Sequence, residues 1–263
     1  RAPALFDAVA AESQKKIELF HPPSLANVAW AFAKAGVAAP DLFAAVASES
    51  QKKMSRFNAT ELSNLVWAFS TAGSVEPHIK LFETVAFEAT KKVASFEAQE
   101  LASTVWAYAK AGVPAPLLFD AVAVEAAKTV KAFKPQALAY TVWSFSKAKV
   151  EAPVLFGKVS NDALSKLPLF KPQELANLVW AFAHAGVAAP KLFAAVAEEA
   201  TNKVNAFDQH ALARTRVGCW VNSASADRVA SERGRRRGWS ERPSSNEGCW
   251  SERLSTVFMI PRR

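Results

Sequence analysis

Glu174-Leu175-Ala176-Asn177-Leu178-Val179-Trp180-Ala181-Phe182-Ala183-His184-Ala185-Gly186 decides how this chain is read, because close variants of it occur five times. The tryptophan recurs at Trp30, Trp67, Trp106, Trp143 and Trp180, with gaps of 37, 39, 37 and 37 residues. A fixed period of this size marks a tandem repeat array. Ten residues before each Trp stands a Phe (Phe20, Phe57, Phe96, Phe133, Phe170), and ten after it a Pro (Pro40, Pro77, Pro116, Pro153, Pro190). A Leu-Phe pair follows each Pro, as in Leu42-Phe43 and Leu192-Phe193. Two extra residues near His78-Ile79 account for the longer gap.

Each unit reads as two helices. Helix A follows the Phe, with Pro22, Pro135 and Pro172 at its first position, where a missing N–H costs nothing. Asn58 and Glu61 have capping-box spacing, so the Asn58-Ala59-Thr60 sequon reads as a helix start. Gly36, Gly73, Gly112 and Gly186 suit the left-handed residue after a helix. Lys149 stands there in the fourth copy, so that end is expected to be looser or differently closed. Helix B begins at the Pro. It carries an acid and, four residues on, a Lys: Glu12/Lys16, Glu49/Lys53, Glu88/Lys92, Asp162/Lys166 and Glu199/Lys203. Such pairs contribute ~0.2–0.5 kcal/mol each. Glu125 faces Thr129 instead and is expected to lose its pair.

The resulting expectation is all-α: a right-handed α-solenoid of about five and a half helix-pair repeats of period 37–39, occupying residues 1–213. It opens with a half-unit and ends in a sixth helix A that begins at Phe207. The chain starts at Arg1, within a helix B, so it reads as a fragment or as lacking an upstream segment, and no targeting peptide is visible.

From Arg214 the composition changes. Residues 211–263 hold eleven Arg, no Lys and five acids, +6 of the net +8; residues 1–210 hold nineteen Lys, two Arg and nineteen acids, close to balance at +2. Lacking apolar periodicity, 214–263 is expected to be disordered. It is either an RNA-binding Arg-rich tail or a mistranslated end of a gene model, and the break inside a helical pattern favours the second. Both cysteines, Cys219 and Cys249, lie in this tail, so no disulfide framework supports the array. No apolar run is long enough to span a membrane.

Projected on a helical wheel, Leu at −5 from the Trp and the aromatic at +2 form the core face. Positions −4 and +3 are always Ala or Ser, a strip another helix can approach closely. The opposite stripe is polar and changeable. It carries Asn27, Asn64, Ser103, Tyr140 and Asn177 at −3, and Lys34, Thr71, Lys110, Lys147 and His184 at +4. A constant framework with one variable stripe suits a modular single-stranded RNA reader, lysines meeting phosphates and the −3 residues meeting bases, with helix A on the concave side. A merely solvated face accounts for the same variation. The Trp borders this stripe. A Trp in every copy reads first as packing between units, and second as a platform for a base. The four histidines lack ligand spacing, and no phosphate loop or nucleophile elbow occurs, so neither metal, cofactor nor catalysis is expected.

With five copies of Leu-x-x-x-x-Trp-[Ala/Ser]-[Phe/Tyr], residues 1 to about 213 resemble the octotricopeptide class of helical repeats. They also resemble the heptatricopeptide repeats and the leucine-rich region of FAST kinase-like proteins. The resemblance implies a nuclear-encoded organellar protein, in the mitochondrial matrix before the chloroplast stroma, that binds RNA to control its processing, stability or translation. The RAP domain many such proteins carry is not present in this chain. A protein-binding scaffold of the tetratricopeptide kind is the rival expectation, favoured by the near-neutral array.

Overall fold

The computed structural model describes residues 3–209 and residue 211. Most of the sixth helix A, the Arg-rich tail and both cysteines lie outside the described residues. Those described form eleven α-helices with 3-10 turns and no strand. Contacts divide the chain into two compact units, Arg1–Ala137 and Leu138–Arg263, with the boundary inside α8.

In the first unit, α2 (Pro22–Ala35), α4 (Ala59–Ala72) and α6 (Ala98–Ala111) are the A helices. The B helices are α1 (Pro3–Lys16), α3 (Pro40–Lys53), α5 (Ile79–Lys92) and α7 (Pro116–Thr129). α2 packs on α4 and α4 on α6, while α1, α3, α5 and α7 form a second row in chain order. The second unit holds most of α8 (Pro135–Ala148), with α9 (Pro153–Lys166), α10 (Pro172–His184) and α11 (Pro190–Asn202). In it α11 packs on both α9 and α10.

The wheel assignment holds. Leu25, Leu62, Leu101, Leu138 and Leu175 at −5 are fully buried, as are Phe69, Tyr108, Phe145 and Phe182 at +2. Phe43 meets Phe69 edge-to-face at 4.9 Å, Phe82 meets Tyr108 at 5.4 Å, and in the second unit Phe156 meets Phe182 at 5.0 Å. Such pairs add about 0.5–1.5 kcal/mol beyond area burial. Tyr108 is the only polar member of this set, and its hydroxyl donates to the Phe82 carbonyl at 2.6 Å. Burial pushes its pKa well above the usual tyrosine range.

Helix ends follow the expected punctuation, with three corrections. The Asn58/Glu61 capping box is formed in both directions, at 2.9 and 2.8 Å. Gly36, Gly73, Gly112 and Gly186 are left-handed. Lys149 is not looser. It takes the same conformation at φ 57°, and Val150 N–H closes on the Phe145 carbonyl as Val37 N–H closes on Phe32. The helix closure is set by packing around it, so the lysine is carried into a strained backbone. In the third copy helix B starts at Ile79, not at Pro77, because the two extra residues are taken up by a 3-10 turn, Glu76–His78. His78 packs edge-on against Phe69 at 5.3 Å, and burial lowers its pKa. Glu125 does not lose its partner. Lys128, three residues on, pairs with it at 3.0 Å, and the Thr129 hydroxyl donates to the helix carbonyl.

The helix B lysines do more than pair along their own helix. Lys53 Nζ contacts Glu49 at 2.8 Å and donates to the carbonyls of Glu18 and Phe20 at 2.7 and 2.8 Å. Lys92 repeats this with Glu88, Ser55 and Phe57, and in the second unit Lys203 does so with Glu199, Pro168 and Phe170. These acceptors lie at the carbonyl end of the preceding repeat's 3-10 turn, where backbone oxygens lack intrahelical partners. The ammonium therefore bolts one repeat to the next. Glu49 is shielded by the two lysines that fold over it rather than by depth in the fold. Hydrogen bonds from Lys52 and Lys53 hold its carboxyl below the usual range, and those from Lys92 and Lys91 do the same for Glu88. Lys16 pairs with Glu12 alone, both exposed.

Three outcomes follow from this framework. Lys149→Gly relieves the left-handed strain and raises stability by about 0.5–1 kcal/mol after the greater freedom of unfolded glycine is subtracted, read from denaturant unfolding. Lys92→Met removes two charge-assisted bonds and costs about 2–3 kcal/mol, whereas Lys16→Met stays within about 0.5 kcal/mol; equal costs would refute the bolt. Depressed carboxyl pKa values give stability that is present above the unfolded glutamate value of about 4.3 and lost as pH falls through the lower folded values. The melting difference between wild type and Glu49→Gln/Glu88→Gln therefore shrinks on acidification below that value.

Candidate nucleic-acid interface

The small residues at −4 and +3 bring neighbouring A helices together. Ala26, Ser63 and Ala102 are buried in the first unit and Ala139 and Ala176 in the second. Ser63 hydroxyl reaches the Glu100 carbonyl on the next A helix at 3.4 Å, and Thr60 bonds the Glu100 carboxylate. Next to this seam on the wheel comes the Trp, and next to the Trp comes the polar stripe.

The tryptophans are not core residues. Trp30 is 40 % exposed, and Trp67, Trp106, Trp143 and Trp180 are half-buried, while the fully buried rings are Phe and Tyr. Their rings stand beside one another. Trp30 lies 6.2 Å from Trp67 with planes tilted 35°, and Trp67 lies 6.5 Å from Trp106 at 23°. In the second unit Trp143 lies 6.4 Å from Trp180 at 36°. Packing between repeats is thus part of their role, and it takes place at the surface.

In each unit a +4 side chain lies against the Trp of its own helix. Lys110 Nζ sits 4.8 Å above the Trp106 ring. His184 stacks on Trp180 at 4.6 Å with planes 13° apart. Lys34, Lys147 and His184 are exposed, as is Lys110, whose ammonium pKa is lowered by partial burial. Thr71 is half-buried, and its hydroxyl is enclosed without a hydrogen bond. It offers solvent no polar atom there.

The −3 positions are less uniform than the wheel implied. Asn27 is exposed, and Asn64, Ser103 and Tyr140 are half-buried. Asn177 is buried, at 7 % exposure. Its Oδ1 accepts from Gln173 Nε2 at 3.2 Å, and Gln99 Nε2 donates to Ser103 Oγ at 3.1 Å. Position −7 thus braces position −3 one turn later, a coupling visible in the sequence only as an i,i+4 pair of polar residues. The structure brings Asn27, Asn64 and Ser103 with Lys34, Thr71 and Lys110 onto one row of A helices in the first unit. Tyr140, Asn177, Lys147 and His184 stand on α8 and α10 in the second.

The stripe lysines differ from the helix B lysines that join repeats. Among the described residues Lys34, Lys110 and Lys147 stand in no ion pair, whereas Lys53, Lys92 and Lys203 are held by a carboxylate and two carbonyls. The described residues hold no cluster of His, Cys, Asp and Glu fit for a metal ion, and no described helix is long and apolar enough to cross a membrane. In the first unit Lys34 and Lys110 set exposed ammonium groups, in no ion pair among the described residues, on the same A helices as partly exposed indoles, a chemistry suited to a polyanion with flat rings.

No individual curated protein matches the chain. Residues 16–219 match the profile of a family described as RNA-editing substrate-binding complex 6 protein. That match takes in the repeats from the end of α1 onward, and with well over half of its length inside it, the chain belongs to the RNA-editing substrate-binding complex 6 protein family.

Proposed function

We propose that this chain is a non-catalytic, single-stranded-RNA-binding member of an RNA-editing or RNA-processing assembly, acting in an organelle, the mitochondrial matrix before the chloroplast stroma. The observation that carries the reading is the contrast between two kinds of lysine. On helix B, Lys53, Lys92 and Lys203 are consumed in joining repeats. Lys34, Lys110 and Lys147 recur at one wheel position of helix A, exposed and without carboxylate partners. A compact ammonium suits phosphate, and phosphate contacts position a strand without reading its sequence. The family's name supports an RNA-editing context, and the octotricopeptide-like pattern supports an organellar one. Asn27, Asn64 and Ser103 are the base-facing candidates in the first unit. Asn177 is better assigned to bracing, because its side chain is buried.

A second reading, a protein-binding scaffold, draws on a different surface. Phe87 and Val124 occupy the same position on α5 and α7 and are 68 % and 58 % exposed, and Leu117 on α7 is 75 % exposed. The outer row of the first unit therefore offers an apolar patch, which a complex member has use for alongside RNA.

The test is the salt dependence of RNA affinity. Binding of single strands weakens with salt at a log–log slope of roughly −0.7 per neutralised phosphate. Lys34→Gln/Lys110→Gln/Lys147→Gln should make that slope shallower by about two units and weaken different sequences equally. Unchanged affinity and slope would remove the stripe as the RNA path and move the scaffold reading ahead.

A further inference from the structure

We infer that, within each unit, the neighbouring tryptophans form a stacking shelf for unpaired bases, each indole offering the face that looks toward position +4 of its own helix. This deepens the proposed RNA reading and rests on it.

The argument begins with His184. Its imidazole lies on Trp180 at 4.6 Å and nearly parallel, 13° apart. A flat heteroaromatic ring thus already occupies the +4-facing side of one indole. Lys110 takes the same seat on Trp106, with its ammonium 4.8 Å above the ring. Both occupants come from one turn along the same helix, so that side of the indole is reached along the helix axis. The neighbouring indoles lie across the row instead, 6.2–6.5 Å away and tilted by 23–36°. They stand farther off than His184 does from Trp180.

The occupant of this seat varies with the repeat. Trp67 is followed at +4 by Thr71, a short side chain turned inward with its hydroxyl enclosed. No long side chain stands there to cover the ring. Trp30 has Lys34 at +4 and is itself 40 % exposed. Lys110 is a movable cover, since a phosphate attracts its ammonium and leaves the Trp106 ring to a base. Within the first unit the +4 residue is thus a short Thr at Trp67 and a lysine at Trp30 and Trp106; in the second unit a histidine lies on Trp180.

The ligand class follows from the surface chemistry. Indole faces take planar rings, and base–aromatic stacking is tolerant of sequence because every base has a π-face. The lysines beside them call for phosphate. Bases within a duplex have their faces covered by one another, so the ligand is a single strand. Trp67 is the seat that should contribute most, because its +4 residue is the short Thr71 and neither a lysine nor a histidine has to leave the ring.

The test uses the full chain with two fluorescein-labelled strands of about 16 nucleotides, an oligoadenylate and a strand of the same length and charge carrying abasic spacers. Fluorescence anisotropy reports binding. The wild-type protein should bind the oligoadenylate at least about ten-fold tighter than the abasic strand. Trp67→Ala should lose about ten-fold for the oligoadenylate and leave the abasic strand unchanged, while Trp67→Phe, which keeps a ring, retains most of the affinity. Equal wild-type affinity for the two strands overturns the shelf and leaves the phosphate path standing. Equal weakening of both strands by Trp67→Ala also overturns it, since the indole would then act through the fold. If neither strand binds, the RNA reading itself falls. Should Trp67→Ala fail to fold, the wild-type comparison and Trp67→Phe decide the matter alone.

Discussion

Close approach of adjacent A helices is the constraint on which the rest of the arrangement depends. Only Ala or Ser fits at the seam, and Ala26, Ser63 and Ala102 are buried there in the first unit. A larger side chain would force the helices apart and separate the indoles, which now stand 6.2–6.5 Å from one another. The seam also explains why the Trp stays half-exposed. It stands on the wheel between the small strip and the polar stripe, so one part of the ring meets the neighbouring helix and another part meets solvent.

The second row solves a separate problem. Each helix B continues into a 3-10 turn whose last carbonyls need donors. After α1, α3 and α9 a lysine from the next repeat supplies them, and its charge is balanced by a glutamate one turn back. Isolated surface ion pairs contribute little, but here the same ammonium also satisfies backbone acceptors of another repeat. The ammonium groups of Lys53, Lys92 and Lys203 are thereby held within the structure. On the A row of the first unit, Lys34 and Lys110 are exposed and stand in no ion pair among the described residues.

Strain at Lys149 shows the same hierarchy. The residue has no intrinsic preference for a left-handed backbone, yet it adopts φ 57° because Phe145 must be buried and Val150 must close the helix. Packing of one large aromatic outweighs about 1–2 kcal/mol of backbone cost. At the third repeat the adjustment is made in the loop instead. Two inserted residues become a 3-10 turn, and Leu81 and Phe82 keep their buried places.

The sequence by itself determined the helix pairs, their caps and the division of each A helix into core face, seam and polar stripe. Those properties depend on local punctuation and a 3.6-residue period, both written into each repeat. It did not determine what the helix B lysines do, because their carbonyl acceptors lie 33–37 residues away and no one-helix pattern contains them. Nor did it separate Asn177 from Asn27, which share a wheel position but differ in burial, since burial depends on what the neighbouring elements contribute. The side of the indole that meets His184 or Lys110 was likewise decided only by tertiary structure. Ring orientation is set by a rotamer chosen against the adjacent helix, and composition and spacing carry no record of that choice.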